Sequence, residues 1–274
     1  MTRQEMYQEA MAKAFDNFFE MYINPEVERR QLEGQLPKPT DLRAAQILFF
    51  PDRRPTQVRI NSEVKALAEH TFKPGVAQKT PGDAVFAHEI ESLRVVGLAA
   101  DDDPNCGHAT FIRIGQRWSW AFDLRYNKGH ARKHLAAASE FYKCAEFALN
   151  GSNWIAFVEN LFSCAELLAK AMVMCLYDLR IMETASHRRI HSRFNLFARP
   201  ELGNVAEDQR RTFNRLCKLR HPTRYLEKDP AIAEEEARQM LGTVSDMMEE
   251  IRRVSAPALT RGAASSSENV SDRE

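Results

Sequence analysis

Neither sign of charge is in excess: Lys plus Arg and Asp plus Glu both number 38 in 274 residues. The whole-chain balance therefore selects no class of partner. Long apolar runs are also missing. The most apolar stretch, positions 154 to 177, is broken by Glu159, Glu166 and Lys170, whereas a membrane-spanning helix needs about 20 nearly uninterrupted apolar residues. No membrane association is expected. The five cysteines (Cys106, Cys144, Cys164, Cys175 and Cys217) are odd in number and include no CxxC pair. They read as buried free thiols of a reducing compartment. Acids at Glu5, Glu9 and Asp16 speak against a signal peptide, and a cytoplasmic location is expected. A glycine-rich phosphate loop, a nucleophile elbow, an HExxH motif and internal repeats are all absent. His130/His134 and His187/His191 stand at i, i+4, and Asp101, Asp102 and Asp103 are consecutive. These read as surface histidines and a solvated turn, so no metal and no cofactor is expected.

The composition, 44% hydrophobic and 28% charged, is that of a globular protein long enough for two domains. Met6, Ala10, Ala14, Phe18 and Met21 fall near helical spacing and predict a helix over residues 3 to 20. Asn24-Pro25 resembles the cap and first turn of a second, short helix. From residue 44 to about 125 the pattern changes to strands, with candidates at 47–50, 57–61, 84–90, 93–98, 110–114 and 117–125. In the last of these Trp118, Trp120, Phe122 and Leu124 alternate with smaller or polar residues, which places all four on one face. Gly115-Gln116 suits a type II′ hairpin turn before it. After residue 127 the reading is helical: 130–149, 152–179, 186–197, 204–220, and a last helix opening at Asp229-Pro230. Residues 257–274, rich in Ser, Ala and charge, read as a disordered tail.

Charge is distributed unevenly. Between Arg180 and Arg224 there are eleven Lys/Arg and four Asp/Glu, a local net of +7, which predicts one face that prefers anions. Arg211, Arg215 and Lys218 share a helix face by their spacing. Arg220, seven residues after Phe213, points with it toward the apolar side and so needs a partner, which is either Glu166 or an acid of the last helix, or a bound ligand. Pro222 disfavours helical geometry at His221 and predicts a helix break there, with Arg220, His221, Thr223, Arg224 and Tyr225 at a turn.

The run Leu219-Arg220-His221-Pro222-Thr223-Arg224-Tyr225-Leu226, the following Asp229-Pro230 with an acidic helix start, the segment His187 to Asn195, and Glu166 with Lys170 four residues on together resemble the HEPN family over about residues 130–254. That resemblance implies a bundle of four or five helices, and a homodimer whose arginine motifs face each other across a cleft. It implies metal-independent ribonuclease activity in many members, and nucleotide binding or partnership with other proteins in others. With four residues between the arginine and the acid/base position, counting from Arg220 reaches Tyr225 rather than the family's usual histidine, and a tyrosine is a poorer base at neutral pH. Counting back from His221 gives Arg215 as the alternative register.

The expected fold is therefore α+β. A helix and a small antiparallel β-sheet fill residues 1–127, and a HEPN-like bundle fills residues 128–256. The expected function is binding of RNA or nucleotide phosphates through a basic cleft. Arg220, His221 and Tyr225 stand at its centre, Arg211, Arg215, Lys218 and Arg224 bind the polyanion, and Glu166 and Lys170 support them. The alternatives are a metal-independent endoribonuclease, with His221 or Tyr225 as acid/base, and a protein-interaction partner with no nucleic-acid ligand.

Overall fold

A computed structural model describes residues 2–256 except Pro81, Tyr177 and residues 226–229. The expected tail at 257–274 and the Asp229 cap lie outside the described residues. The chain divides into two compact units, one containing Met1–Leu124 and the other Arg125–Ala256.

The first unit packs a long helix on a small sheet. Helix α1 (Arg3–Phe18) opens with a capping box between Thr2 and Glu5. It does not stop before Asn24-Pro25 as the cap reading expects. A π-helical turn, Phe19–Ile23, carries it without interruption into α2 (Asn24–Leu32). The Asn24 N–H bonds back to the Phe19 carbonyl and both Ile23 and Asn24 are helical, so the wider turn absorbs the proline that would otherwise break the ladder. The helix buries Phe15, Phe18, Phe19 and Ile23 against β1 (Ala44–Phe49), β5 (Gly107–Ile114) and β6 (Arg117–Asp123). With β2 (Gln57–Ile60) these form an antiparallel sheet of order β2-β1-β5-β6. Ile114 pairs with Arg117 across the two-residue turn. There Gly115 takes φ 60° and Gln116 stays at negative φ, as a type II′ turn requires. Trp118, Trp120 and Phe122 do share a face and meet the helix aromatics edge-on or tilted.

A second ribbon pairs β3 (Ala66–Phe72) with β4 (Ile90–Leu98). The strand expected at 84–90 joins it only at Ile90. The reason is local: the Phe86 N–H is taken by the Glu89 carboxylate at 2.7 Å, which closes a turn instead of offering the donor to a neighbouring strand. Strand β3 has no clean alternation of apolar residues and was not legible.

Among the described residues the second unit is a bundle of five α-helices: α3 (Lys128–Asn150), α4 (Trp154–Leu176), α5 (His187–Phe197), α6 (Glu207–Arg224) and α7 (Glu234–Ser255). Asn127, at φ 53°, turns the chain into α3 while its amide donates to the Met174 carbonyl. Helix α4 is the axis of the bundle. Phe157, Leu161, Leu168 and Met172 are fully or almost fully buried among α3, α5, α6 and α7. Burial of each such side chain stabilises the fold by about 1.5–3 kcal/mol. Helix α6 does not break at His221 but runs through Pro222 to Arg224. Proline there forfeits a single ladder bond near the helix end, the Tyr225 N–H still reaches the His221 carbonyl, and buried Leu219 and Thr223 hold the last turn to the core. Helix α7 starts at Glu234, with Pro230 outside it. Glu234, Glu235 and Glu236 occupy its first turn, where the helix dipole favours acids. Among the described residues no helix is long and apolar enough to cross a membrane.

Candidate functional site

The polar stripe of α4 faces α5 and α6 and builds the site from below. Glu159 meets Arg220, with Nε to Oε2 at 3.5 Å. Glu166 meets His187, with Nδ1 to its two carboxylate oxygens at 2.5 and 2.6 Å. Lys170 donates to the Thr184 carbonyl at 2.8 Å and so ties down the segment that leads into α5. Burial pushes the Lys170 ammonium below its usual value, and the Glu166 charge partly offsets this. Ser186 caps α5 through the Arg189 N–H, which sets the helix phase so that His187 and His191, one turn apart, look the same way.

Two stacked rings, Phe162 and Phe213, with centroids 6.3 Å apart, form an apolar floor. The Arg220 guanidinium lies 4.3 Å above the Phe162 ring, a favourable cation–π geometry. The Arg220 side chain is only 17% exposed. Its carboxylate partner is Glu159, not the expected Glu166, because two helical turns separate the acids and α5 claims the second. The pair is loose: at 3.5 Å it is an ion pair, but Arg220 Nε and Glu159 Oε1 are both buried without a hydrogen bond. Buried polar atoms left unsatisfied are costly and are concentrated where a ligand or reaction uses them. His191 contacts the Phe213 ring and meets Asn214 Oδ1 through Nε2 at 2.6 Å.

Above this floor is an open cavity of about 480 Å³ lined by Phe162, His187, Arg188, His191, Cys217, Arg220, His221, Arg224 and Tyr225. It brings together Arg220, His221, Arg224 and Tyr225 of the expected set. It adds His187, Arg188 and His191 from α5 and Phe162 from α4, whose i, i+4 spacing was the legible signal for the two histidines. Arg211, Arg215 and Lys218 do not line it. Arg211 is exposed and paired with Glu207, and Arg215 pairs with Glu236 at the start of α7. Its guanidinium is raised above its ordinary value by the hydrogen bond to Glu236. Lys218 is exposed. Glu166 and Lys170 lie behind the cavity and hold its wall.

The other candidate clusters are engaged elsewhere. Asp101, Asp102 and Asp103 pair with Lys65, Arg59 and Arg54, so the run is not simply a solvated turn. Among the described residues no group of three or more His, Cys, Asp or Glu could hold a metal ion. Burial pushes the Cys164 and Cys217 thiols up to about 12, and thiols so shifted are poor nucleophiles.

Such a site is a helical-bundle cleft whose lining carries three guanidinium groups and three imidazoles. No curated protein and no solved structure matches the chain. Residues 131–254 match the family model of the HEPN domain, and the C-terminal bundle of this protein is a HEPN domain.

Proposed function

We propose that the cleft between α5 and α6 binds the phosphates of RNA. One observation carries the reading: Arg188, Arg220 and Arg224 line it together with His187, His191 and His221, and among the described residues no carboxylate lines it. Charge-assisted hydrogen bonds from guanidinium groups suit phosphate oxygens, and the Phe162 floor keeps Arg220 poorly hydrated, which strengthens such contacts. Arg211, Arg215 and Lys218 supply a more distant positive field on the outer face of α6. The three imidazoles favour a second reading, metal-independent cleavage of the bound strand, because imidazole is the side chain best matched to proton transfer at neutral pH. A homodimer through the HEPN domain, with two such clefts, accompanies this proposal. Light scattering should then give about twice the 31.4 kDa chain mass.

Fluorescence anisotropy of the full chain with a labelled single-stranded RNA, with EDTA present, tests the binding. Affinity should fall as salt rises, because phosphate contacts release counterions. Binding that is absent, or insensitive to salt, would remove the proposal and leave the basic edge to an acidic protein partner.

A further inference from the structure

A chain of hydrogen bonds in the bundle ends on His191. Arg210 Nε donates to Asn195 Oδ1 over 3.2 Å. Asn195 Nδ2 donates to the His191 carbonyl at 3.0 Å and to Asn214 Oδ1 at 2.9 Å. Asn214 Nδ2 donates back to Asn195 Oδ1 at 2.8 Å. A guanidinium can only donate and a carbonyl can only accept, so Arg210 and the His191 carbonyl together fix the orientation of the Asn195 amide. That amide in turn fixes Asn214, whose Oδ1 faces His191 Nε2 at 2.6 Å. An acceptor at that position requires a proton on Nε2, so neutral His191 carries its lone pair on Nδ1. His187 is held in the opposite sense. Its Nδ1 faces the Glu166 carboxylate, so Nδ1 carries the proton and Nε2 is the nitrogen left to exchange one. Two imidazoles, one helical turn apart and lining one cavity with Arg220, thus hold complementary tautomers.

We propose that His187 and His191 are a proton-transfer pair for RNA cleavage, with Asn214, Asn195 and Arg210 as positioning residues. This rests on the reading of the cleft as an RNA phosphate site. In the step, the 2′-oxygen of the strand attacks the adjacent phosphorus while His191 Nδ1 takes the 2′-hydroxyl proton. The bond from phosphorus to the 5′-oxygen breaks, and that oxygen takes the Nε2 proton of His187, which enters the step as the imidazolium with Nδ1–H held by Glu166. The products are a 2′,3′-cyclic phosphate and a 5′-hydroxyl. One imidazole has gained a proton and the other has lost one, solvent restores both, and no oxidant or reductant is consumed. The division of roles follows from what stands behind each ring. Glu166 of α4 provides a counter-ion for an imidazolium at His187, whereas a neutral amide backs His191. Arg188 of α5 and Arg220, His221 and Arg224 of α6 line the same cavity. Lys170 lies one turn along α4 from Glu166.

The tautomers can be read without RNA. Long-range ¹H–¹⁵N correlation spectra of the full chain with labelled histidine should show His191 as Nε2–H and His187 with a proton on Nδ1. Asn214→Asp keeps an acceptor and should preserve the His191 pattern, whereas Asn214→Leu should let its tautomers mix. If Asn214→Leu fails to fold, Asn195→Ala interrogates the same chain one link back. Mixed tautomers at His191 in the unsubstituted protein overturn the relay. In the second arm an RNA oligonucleotide is incubated with the full chain in EDTA. His187→Asn and His191→Asn should each slow cleavage about a hundredfold or more, with the dissociation constant changed only a few-fold. RNA that is bound but left intact overturns the proton-transfer pair and leaves the phosphate reading standing. RNA that is not bound overturns the phosphate reading itself. Cleavage that depends on His221 but survives His187→Asn overturns the assignment of the pair.

Discussion

The N-terminal unit and the cleft of the HEPN domain treat arginine in opposite ways. In the N-terminal unit four guanidinium groups illustrate matching to acids. Arg30 holds Glu26 and Glu63, Arg54 holds Asp52 and Asp103, Arg59 makes two bonds to Asp102, and Arg94 pairs with Glu69. In the cleft of the HEPN domain Arg188 and Arg224 have no acid partner among the described residues, and Arg220 has only a carboxylate that is too far for a hydrogen bond. The same residue type is a structural tie where a carboxylate is within 3 Å and a recognition group where none is. Counting charges along a sequence does not separate the two roles.

The largest effects should come from the two cores. Phe111 in the sheet and Phe213 in the bundle are both fully buried. Truncation of either to alanine should cost about 3–5 kcal/mol by urea titration. Only Phe213→Ala, which removes the ring against His191 and the one stacked on the Phe162 floor, should also weaken RNA binding. A matching loss of binding in Phe111→Ala would break the contrast by making the first unit part of the site.

Next come the two partly buried arginines. Arg220→Ala should weaken RNA binding by about 1.5–3 kcal/mol, roughly ten- to a hundredfold in Kd, with a modest change in melting temperature. Arg59→Ala should do the reverse. It leaves the carboxylate of Asp102, whose side chain is 7% exposed, without its counter-ion, which should cost about 3 kcal/mol or more of stability and leave Kd unchanged. If Arg220→Ala lowers only the melting temperature, Arg220 is a structural tie like Arg59.

Acid should weaken the units in sequence. Burial holds the His134 imidazole below its ordinary value near 6.5. Its contribution is complete above that value and is lost as pH falls through the depressed one. The hydrogen bond from Arg29, aided by Arg30, lowers the Glu26 carboxyl from 4.5 to about 2, and Arg30 likewise lowers Glu63. Those contributions are complete above the ordinary carboxylate value and are lost as pH falls toward 2. Trp118 and Trp120 report on the first unit and Trp154 on the second. Fluorescence of Trp154→Phe against the unsubstituted chain should therefore show the bundle loosening at higher pH than the sheet. Simultaneous loss would mean that His134 contributes little. The smallest effect is expected from Arg211→Ala. Its side chain is 76% exposed and tied to Glu207 within one helix, so stability should change by no more than about 0.5 kcal/mol and RNA affinity by a few-fold at most.

The HEPN resemblance and the α+β class were legible because they rest on local properties. The bundle helices follow from apolar spacing, and the hairpin at Gly115 from one residue that tolerates positive φ. Local rules failed where neighbours overrode them. Pro25 and Pro222 each predict an interruption, yet a π turn absorbs the first and the buried side chains of Leu219 and Thr223 carry the helix past the second. The segment 84–89 has strand-like residues, but Glu89 captures the donor that a ladder would need.

By itself the sequence determined that a basic segment centred on Arg220 would sit at the end of a helix, with its guanidinium turned toward the apolar side. Helical periodicity alone sets that direction. Only the tertiary structure decided which residues share the cleft. Arg211, Arg215 and Lys218 are nearer to Arg220 in the chain, but they lie on the other side of α6 and two of them are matched by Glu207 and Glu236. His187 and His191 are some thirty residues away, and the packing of α5 against α4 brings them to the site. The partner of Arg220 was decided in the same way. Glu159 and Glu166 stand on one stripe of α4, two turns apart, and the crossing of α5 and α6 over that stripe gives one acid to His187 and the other to Arg220.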